Sequence, residues 1–338
     1  MCSPDLLAFA KEFKKLRVWA KAVLFALLAT GPSLYASAAP GPIPGRFELL
    51  RERDLRVATV AYRLSTANAS QCKRMLAPQL GFVLHSIEQY VPADRAEAAR
   101  TLALGANVGV MAVVAVSPAA SAGLRAGDQL ISVNGRSLGI HSNGSMPTRE
   151  SVEAMQQLLM AELQRGAVTL RVGAADGTRD LRIVAAQGCP SNVELVSGAA
   201  VNAWADGSRV MVSEGLLARC ITDDDLALVI GHELAHNLLH HRRRLEAEGI
   251  TSSTLLPMNE TVSHAIRETE EEADRTGVNL AEAAGYSLSD TGKFMAALLN
   301  PGITMAATHP DLERRLTLLL AAITEAQRGQ EPRITFSE

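Results

Sequence analysis

A stripe of apolar residues at intervals of three and four predicts a buried helix face between positions 222 and 244. The stripe consists of Leu226, Val229, Ile230, Leu234 and Leu238. Thr222, followed three residues later by Asp225, resembles a capping box, so we expect the helix to begin there. Arginines at positions 242–244 supply positive charge where one continuous helix would end.

The middle of the chain has the shorter periodicity of strands. An apolar run rich in valine, at 108–116, predicts a buried strand, and Asn134-Gly135 predicts a hairpin turn after the next strand. Positions 151–165 predict a helix, and 167–173 with 179–185 predict a hairpin around Asp176-Gly177. Upstream, 85–104 has helical character, and 55–64 is predicted to be a strand.

The predicted helix at 222–244 carries His232-Glu233-Leu234-Ala235-His236, an H-E-x-x-H motif. Residues four apart share a helix face, so His232 and His236 can offer imidazole nitrogens to one tetrahedral Zn²⁺. Glu233 leans over the same position and can accept a proton from water. A helix that carries two histidines and a glutamate by chance is the alternative.

A zinc hydrolase needs a third protein ligand, and the spacing of downstream residues narrows the choice. Leu239 and Arg242 stand where metzincins need Gly and His, which excludes that class. Thermolysin-like spacing leads to 252–257, which contains no acidic residue. The next acidic cluster places Glu270 and Asp274 on one helix face. This spacing predicts that Glu270 is the third ligand and that Asp274 forms a hydrogen bond with one of the ligand histidines.

Together these residues resemble the M48 metallopeptidases, which pair H-E-x-x-H with a downstream Glu-x-x-Ala-Asp, here 270–274. The resemblance extends over about 194–326. It includes an edge strand with Asn202, Ala203 and Trp204, where an extended substrate is expected to add as a further strand. It also includes a His-Pro motif with Arg315, in which His309 either stabilises the oxyanion of the reaction or caps a helix.

Several nearby polar residues are expected to have no part in the chemistry. Glu268, Glu271 and Glu272 are interpreted as a solvated helix face, and His85 and His264 have no assigned role. His240 and His241 are expected to be exposed or to interact with the helix dipole. The span 249–263, rich in Ser and Thr, predicts a loop between the two ligand helices.

Residues 80–187 resemble a PDZ domain, on the strength of the helix, Gly-Asp turn, strand and Asn-Gly turn that span 117–135. PDZ domains bind peptide ends by strand addition and hold the terminal carboxylate in a backbone loop. Two candidates for that loop remain open, namely Leu80-Gly81-Phe82 and Asn107-Val108-Gly109-Val110. We predict the second as the peptide-binding segment. The domain either binds peptides or packs against the protease and gates its cleft.

The first 38 residues predict an export signal. A basic stretch precedes the apolar run 22–30, Gly31 and Pro32 follow, and Ala36-Ser37-Ala38 offers a cleavage site. The periplasm is the expected location, and the alternative is an N-terminal membrane anchor facing the periplasm. Peripheral membrane association stays open, and the oligomeric state is not predicted.

Removal of the export signal changes the net charge and leaves an odd number of cysteines. The formal charge is −3, or about −6 without the basic signal, which does not favour nucleic-acid binding. Cys72, Cys189 and Cys220 lie beyond the signal, and a Cys72–Cys189 disulfide is the first choice among three possible pairings. Three free buried thiols are the alternative.

The predicted fold class is therefore α+β and multidomain, with a PDZ-like β-rich domain before a mostly helical gluzincin-type metalloprotease domain. The boundaries are a signal peptide at 1–38, an N-terminal segment at 39–79, the PDZ-like domain at 80–187, the protease domain at 188–330 and a tail at 331–338. The predicted function is a one-zinc endopeptidase that cleaves unfolded or flexible polypeptides in envelope protein quality control. The alternative is a PDZ-based, chaperone-like protein with gated or negligible proteolysis.

Overall fold

The computed structural model describes residues 44–138, 146–251, 260–298 and 312–328. Its helices are α1 (Arg46–Ala67), α2 (Pro92–Leu102), α3 (Pro118–Ser121), α4 (Glu150–Leu163), α5 (Glu214–Leu217), α6 (Asp223–Leu238), α7 (His241–Ala247), α8 (Glu260–Ala283), α9 (Thr291–Leu298) and α10 (Leu312–Gln327). Its strands are β1 (Ala77–Gln79), β2 (Phe82–His85), β3 (Gly109–Val113), β4 (Gln129–Val133), β5 (Val168–Ala174), β6 (Gly177–Ile183), β7 (Ala186–Gly188), β8 (Val193–Val196), β9 (Ala203–Ala205) and β10 (Val210–Ser213). The predicted signal segment lies outside these ranges.

The predicted α+β architecture is confirmed. An antiparallel sheet in the order β2-β3-β4-β5-β6 packs with α4 around the first core. Asn134 and Gly135 have φ angles of 49° and 78°, as the predicted Asn-Gly turn requires. The C-terminal half combines a small sheet, in the order β8-β10-β9, with helices α6, α8, α9 and α10 around a second core.

Helix α1 corrects the prediction of a strand at 55–64. Val57, Val60 and Leu64 are fully buried and lie three and four residues apart, so a helix gathers them on one face where a strand would split them between two. The β-branched residues of this segment favoured the wrong assignment. This face of α1 packs into the protease core, while Phe47, at its other end, contacts Tyr90 of the PDZ side.

The chain enters and leaves the PDZ domain at neighbouring positions. Strand β1 pairs antiparallel with β7, with Ala77 opposite Gly188. The predicted Cys72–Cys189 disulfide is confirmed beside this pair, with an S–S distance of 1.98 Å, and Cys220 is a buried free thiol. Because α1 precedes this junction but packs with helices that follow it, the PDZ domain is an insertion in the protease fold.

In the part of the chain that the structure describes, no helix combines the length and apolarity needed to cross a lipid bilayer.

Candidate metal centre

Helices α6 and α8 approach unusually closely, and two glycines make this possible. A Cβ atom on Gly277 would lie 2.7 Å from the backbone nitrogen of His232, and one on Gly231 would lie 2.8 Å from the carbonyl oxygen of Gly277. Neither helix could keep this position with a side chain at the crossing. The crossing thus brings the H-E-x-x-H face of α6 against the acidic face of α8.

The crossing gathers the three predicted metal ligands. The Nε2 atoms of His232 and His236 are 3.1 Å apart, and each lies 3.5 Å from a carboxylate oxygen of Glu270. All three ligand atoms lie within 4.8 Å of one another. Two imidazoles from α6 and one carboxylate from the facing helix α8 form a donor set that Zn²⁺ prefers, so these residues fit the metal that the resemblance implies.

Asp274 lies behind the first histidine, as predicted from its spacing. Its carboxylate oxygen Oδ1 lies 2.9 Å from His232 Nδ1, so Nε2 is the ring nitrogen that faces Glu270. Arg315, which is buried on α10, donates two hydrogen bonds to Asp274, at 3.0 and 2.8 Å, and lies 3.1 Å from Glu270. The arginine thus ties both carboxylates of α8 to the last helix.

Electrostatics at this point favour a positive charge. Burial alone lowers the pKa of His232, but hydrogen bonds to Asp274 and Glu270 outweigh it and raise the pKa to about 10. Burial raises the pKa of Asp274, but His232 and Arg315 more than offset it, so the net shift is downward. Two buried carboxylates therefore stabilise a cation here, whether it is a proton or a metal ion.

The predicted general base and the predicted substrate strand border one cleft. The cleft has a volume of about 600 Å³, and Asn202, Ala203, Trp204, Glu233 and Glu270 are among its lining residues. Glu233 is only 7% exposed, whereas Trp204 is 40% exposed at the rim. Within the described residues β9 pairs only with β10, so its other edge is open to the cleft.

The register of β9 shows which residues can receive a further strand. The backbone oxygen of Asn202 accepts a hydrogen bond from Ser213 N on β10, so the backbone groups of Asn202 point toward β10. Backbone groups alternate in direction along a strand, which points those of Ala203 and Ala205 to the open edge. An added strand would thus bond to Ala203 and Ala205, and Asn202 and Trp204 would flank those bonds.

The structure corrects the prediction of one continuous helix through Arg244. Helix α6 ends at Leu238, and His240 adopts a left-handed conformation, with φ 54°, before α7 begins. This turn buries His241, which is 1% exposed and lies 3.0 Å from His236. The expectation that His241 is exposed or serves the dipole is therefore wrong. The feature of the sequence that could have indicated this contact is the position of His241, five residues after His236.

Other predicted residues are placed as follows. His309 lies outside the described residues. Of the loop predicted at 249–263, residues 252–259 lie outside the described residues, and 260–263 belong to α8, which begins at Glu260. His264 is exposed, with a side-chain accessibility of 64%. Glu272 does not belong to a freely solvated face, since Arg244 donates a hydrogen bond to it at 2.5 Å.

The structure also corrects the choice of PDZ loop. Strand β3 begins at Gly109 and lies between β2 and β4, so the stretch Asn107-Val108-Gly109-Val110 leads into an inner strand that cannot accept a peptide. The groove lies instead along β2, with Leu80-Gly81-Phe82 at its wall, facing Leu159 and Met160 of α4. Its volume is about 390 Å³.

This groove is also walled by the protease. Tyr62 of α1 and Val193 of β8 line its far side. Arg149, next to α4, forms an ion pair of 2.7 Å with Glu194 of β8 across the same space. The PDZ groove and the small sheet of the protease are therefore in direct contact.

Comparison with known proteins agrees with this geometry. A family model for peptidase family M48 matches residues 179–264 and 247–323, and a PDZ domain model matches residues 109–172. The mitochondrial metalloendopeptidase OMA1 of Schizosaccharomyces pombe is 25% identical over 155 residues, which cover 39% of this chain and 46% of that protein. The chain thus spans about half the length of the curated relative that it matches. As the sequence resemblance predicted, the chain carries a peptidase domain that matches family M48 and a PDZ domain.

Proposed function

We propose that this protein is a zinc-dependent endopeptidase that cleaves unfolded or flexible polypeptides. The observation that carries the proposal is the convergence of His232, His236 and Glu270 within 4.8 Å, beside the open edge of β9. His232, His236 and Glu270 would hold one Zn²⁺ per chain. When bound, the ion would supply Lewis acidity toward a water molecule and the scissile carbonyl.

Glu233 is the proposed general base. Its carboxylate, largely buried at the cleft wall, would accept a proton from water and then deliver it to the leaving amine. Asp274 would hold His232 in the tautomer that presents Nε2. His309, proposed from the resemblance to assist the oxyanion, completes the set of predicted catalytic residues.

The open edge of β9 supports an extended substrate. A polypeptide that adds to Ala203 and Ala205 needs free backbone groups, which a folded protein rarely offers. The groove between β2 and α4 supports a second contact with polypeptide, through the PDZ domain. We therefore propose unfolded or flexible segments as substrates.

The proposed location is outside the cytoplasm, with envelope protein quality control as the setting. The signal-like residues 1–38 and the Cys72–Cys189 disulfide both support export, since disulfides persist in oxidising compartments. Cell fractionation with N-terminal sequencing tests this, and a protein that keeps residues 1–38 in the cytoplasm would contradict it. A fraction retained by membranes after alkaline extraction would support the anchored alternative.

The activity is tested by degradation of an unfolded protein, such as casein, with and without a chelator. Glu233→Gln should keep stoichiometric zinc and lose hydrolysis, because the amide cannot accept the proton. Full activity in that variant would contradict the proposed mechanism. Chelator-insensitive binding of client without any cleavage would favour the chaperone-like alternative.

A further inference from the structure

The second histidine of the motif has a partner that the proposed mechanism does not use. His236 presents Nε2 to the other ligand atoms, so its Nδ1 atom points away from the centre. At 3.0 Å from that Nδ1 lies Nδ1 of His241, and the two rings meet edge to face with centroids 4.8 Å apart. His241 is 1% exposed, so no solvent competes for this contact.

The second ring nitrogen of His241 also has a hydrogen-bonding partner. Its Nε2 lies 3.0 Å from a carboxylate oxygen of Glu272, and Arg244 donates a hydrogen bond of 2.5 Å to the same oxygen. Glu272 comes from α8, the helix that also carries Glu270. Helix α7 thus reaches both ligand helices through His241, and Arg244 anchors the end of the chain of contacts.

The hydrogen-bond network assigns the protons. A histidine that ligates a metal through Nε2 carries its proton on Nδ1, so His236 must donate to His241. His241 then accepts on Nδ1 and carries its own proton on Nε2, which it donates to Glu272. Each ring has one proton and each contact has one donor and one acceptor.

We infer that His241 is a positioning residue for the metal ligand His236, and that Glu272 with Arg244 fixes its tautomer. The inference rests on the proposed metal site. It deepens that site by giving each histidine ligand its own partner, with Asp274 behind His232 and His241 behind His236. The left-handed turn at His240 belongs to this arrangement, because it places His241 beneath α6.

The test compares His241→Phe with His241→Gln. Phenylalanine fills similar space but cannot accept from His236, so zinc affinity should fall about 10–100-fold, as for other partners of metal-ligating histidines. Glutamine can accept through its carbonyl oxygen and donate through its amide, so it should recover part of the loss. His264→Ala, which removes an exposed histidine of α8, is the matched control and should equal the wild type.

Zinc affinity is measured by chelator competition on the full chain, beside the absorption spectrum of the Co²⁺-substituted protein and the thermal stability of the metal-free protein. A positioning role predicts an altered Co²⁺ spectrum with the stability of the metal-free protein retained. Unchanged zinc affinity and an unchanged spectrum in folded His241→Phe would overturn the inference.

If His241→Phe does not fold, Glu272→Ala decides, because Glu272 is 42% exposed and its loss leaves the core intact. Zinc affinity should then fall by several-fold, and an unchanged value overturns the inference. Wild-type protein that binds no zinc would overturn the proposed function as well. Wild-type protein that binds zinc, with variants that bind it equally, would overturn only the role of His241.

Discussion

The crossing of α6 and α8 allows a sharp test at Gly277. Replacement by alanine would put a Cβ atom 2.7 Å from His232 N and 2.9 Å from the carbonyl carbon of Gly231. Comfortable contacts begin near 3.4 Å, so the helices must separate locally by about 0.7 Å. Both neighbours are backbone atoms that cannot rotate aside, and the separation moves Glu270 away from the histidines.

Two effects of opposite sign decide the stability of Gly277→Ala. Alanine is favoured over glycine inside a helix by about 0.5–1 kcal/mol. Overpacking of a close contact costs about 1–3 kcal/mol, and here the contact is backbone against backbone. We expect overpacking to prevail, with a net loss of about 1–2 kcal/mol in the free energy of unfolding of the metal-free protein.

Metal affinity should respond more strongly than stability. Ligand distances in metal sites are held within about 0.2 Å, and the expected helix separation is larger than this tolerance. We expect zinc affinity to fall at least about tenfold, which corresponds to ~1.4 kcal/mol. Chelator competition gives the affinity, and urea unfolding gives the stability.

Gly292→Ala is the matched control on α9. Its Cβ atom would meet only the Cδ2 atom of Leu320, the end of a side chain that is 44% exposed and can move. This variant should keep both stability and zinc affinity. If Gly277→Ala behaves like Gly292→Ala in both measurements, the reasoning about the helix crossing is refuted.

Three further substitutions test other parts of the structure. Arg315→Met should destabilise the metal-free protein by about 3–5 kcal/mol in urea unfolding, because it removes the buried arginine that pairs with both Asp274 and Glu270 and leaves His232 as their shared cation; a loss below about 1 kcal/mol would contradict this. Replacing both Cys72 and Cys189 by serine should lower the free energy of unfolding by up to about 5 kcal/mol, since the bridge spans 117 residues. Equal stability of the wild-type protein under reducing and oxidising conditions would contradict this. Burial opposes ionisation of Asp206, but hydrogen bonds outweigh it and depress its pKa, so Asp206→Asn should lower stability above about pH 3.8, and this difference should vanish in stronger acid. A difference that persists or grows in acid would contradict the assigned hydrogen bonds.

The sequence allowed the metal ligands to be predicted because local periodicity decides their placement. His232 and His236 share a face of any helix, and so do Glu270 and Asp274. The meeting of the two faces was inferred from chemistry and from resemblance. The glycines at 231 and 277, which allow it physically, carry no pattern that distinguishes a helix crossing from a weak point in a helix.

The wrong predictions share a different cause, namely tertiary contacts that override the local conformational preference of the residues. His241 was misplaced because one left-handed residue, His240, ends α6 before the arginines. Such a conformation in a residue other than glycine is rarely recognisable from sequence. The segment 55–64 was misassigned because its valines favour strands intrinsically, whereas burial against the protease core requires a helix.

The insertion of the PDZ domain has a consequence for the order of folding. During synthesis α1 emerges first, but its partner α6 follows about 150 residues later, which takes roughly 8 to 30 s at ordinary elongation rates. In that interval the apolar face with Val57, Val60 and Leu64 has no native partner. If the PDZ sheet folds meanwhile, pairing of β1 with β7 brings Cys72 to Cys189 and turns a long loop into a short one. The inserted domain would then lower the entropic barrier to assembling the helices that hold the metal ligands.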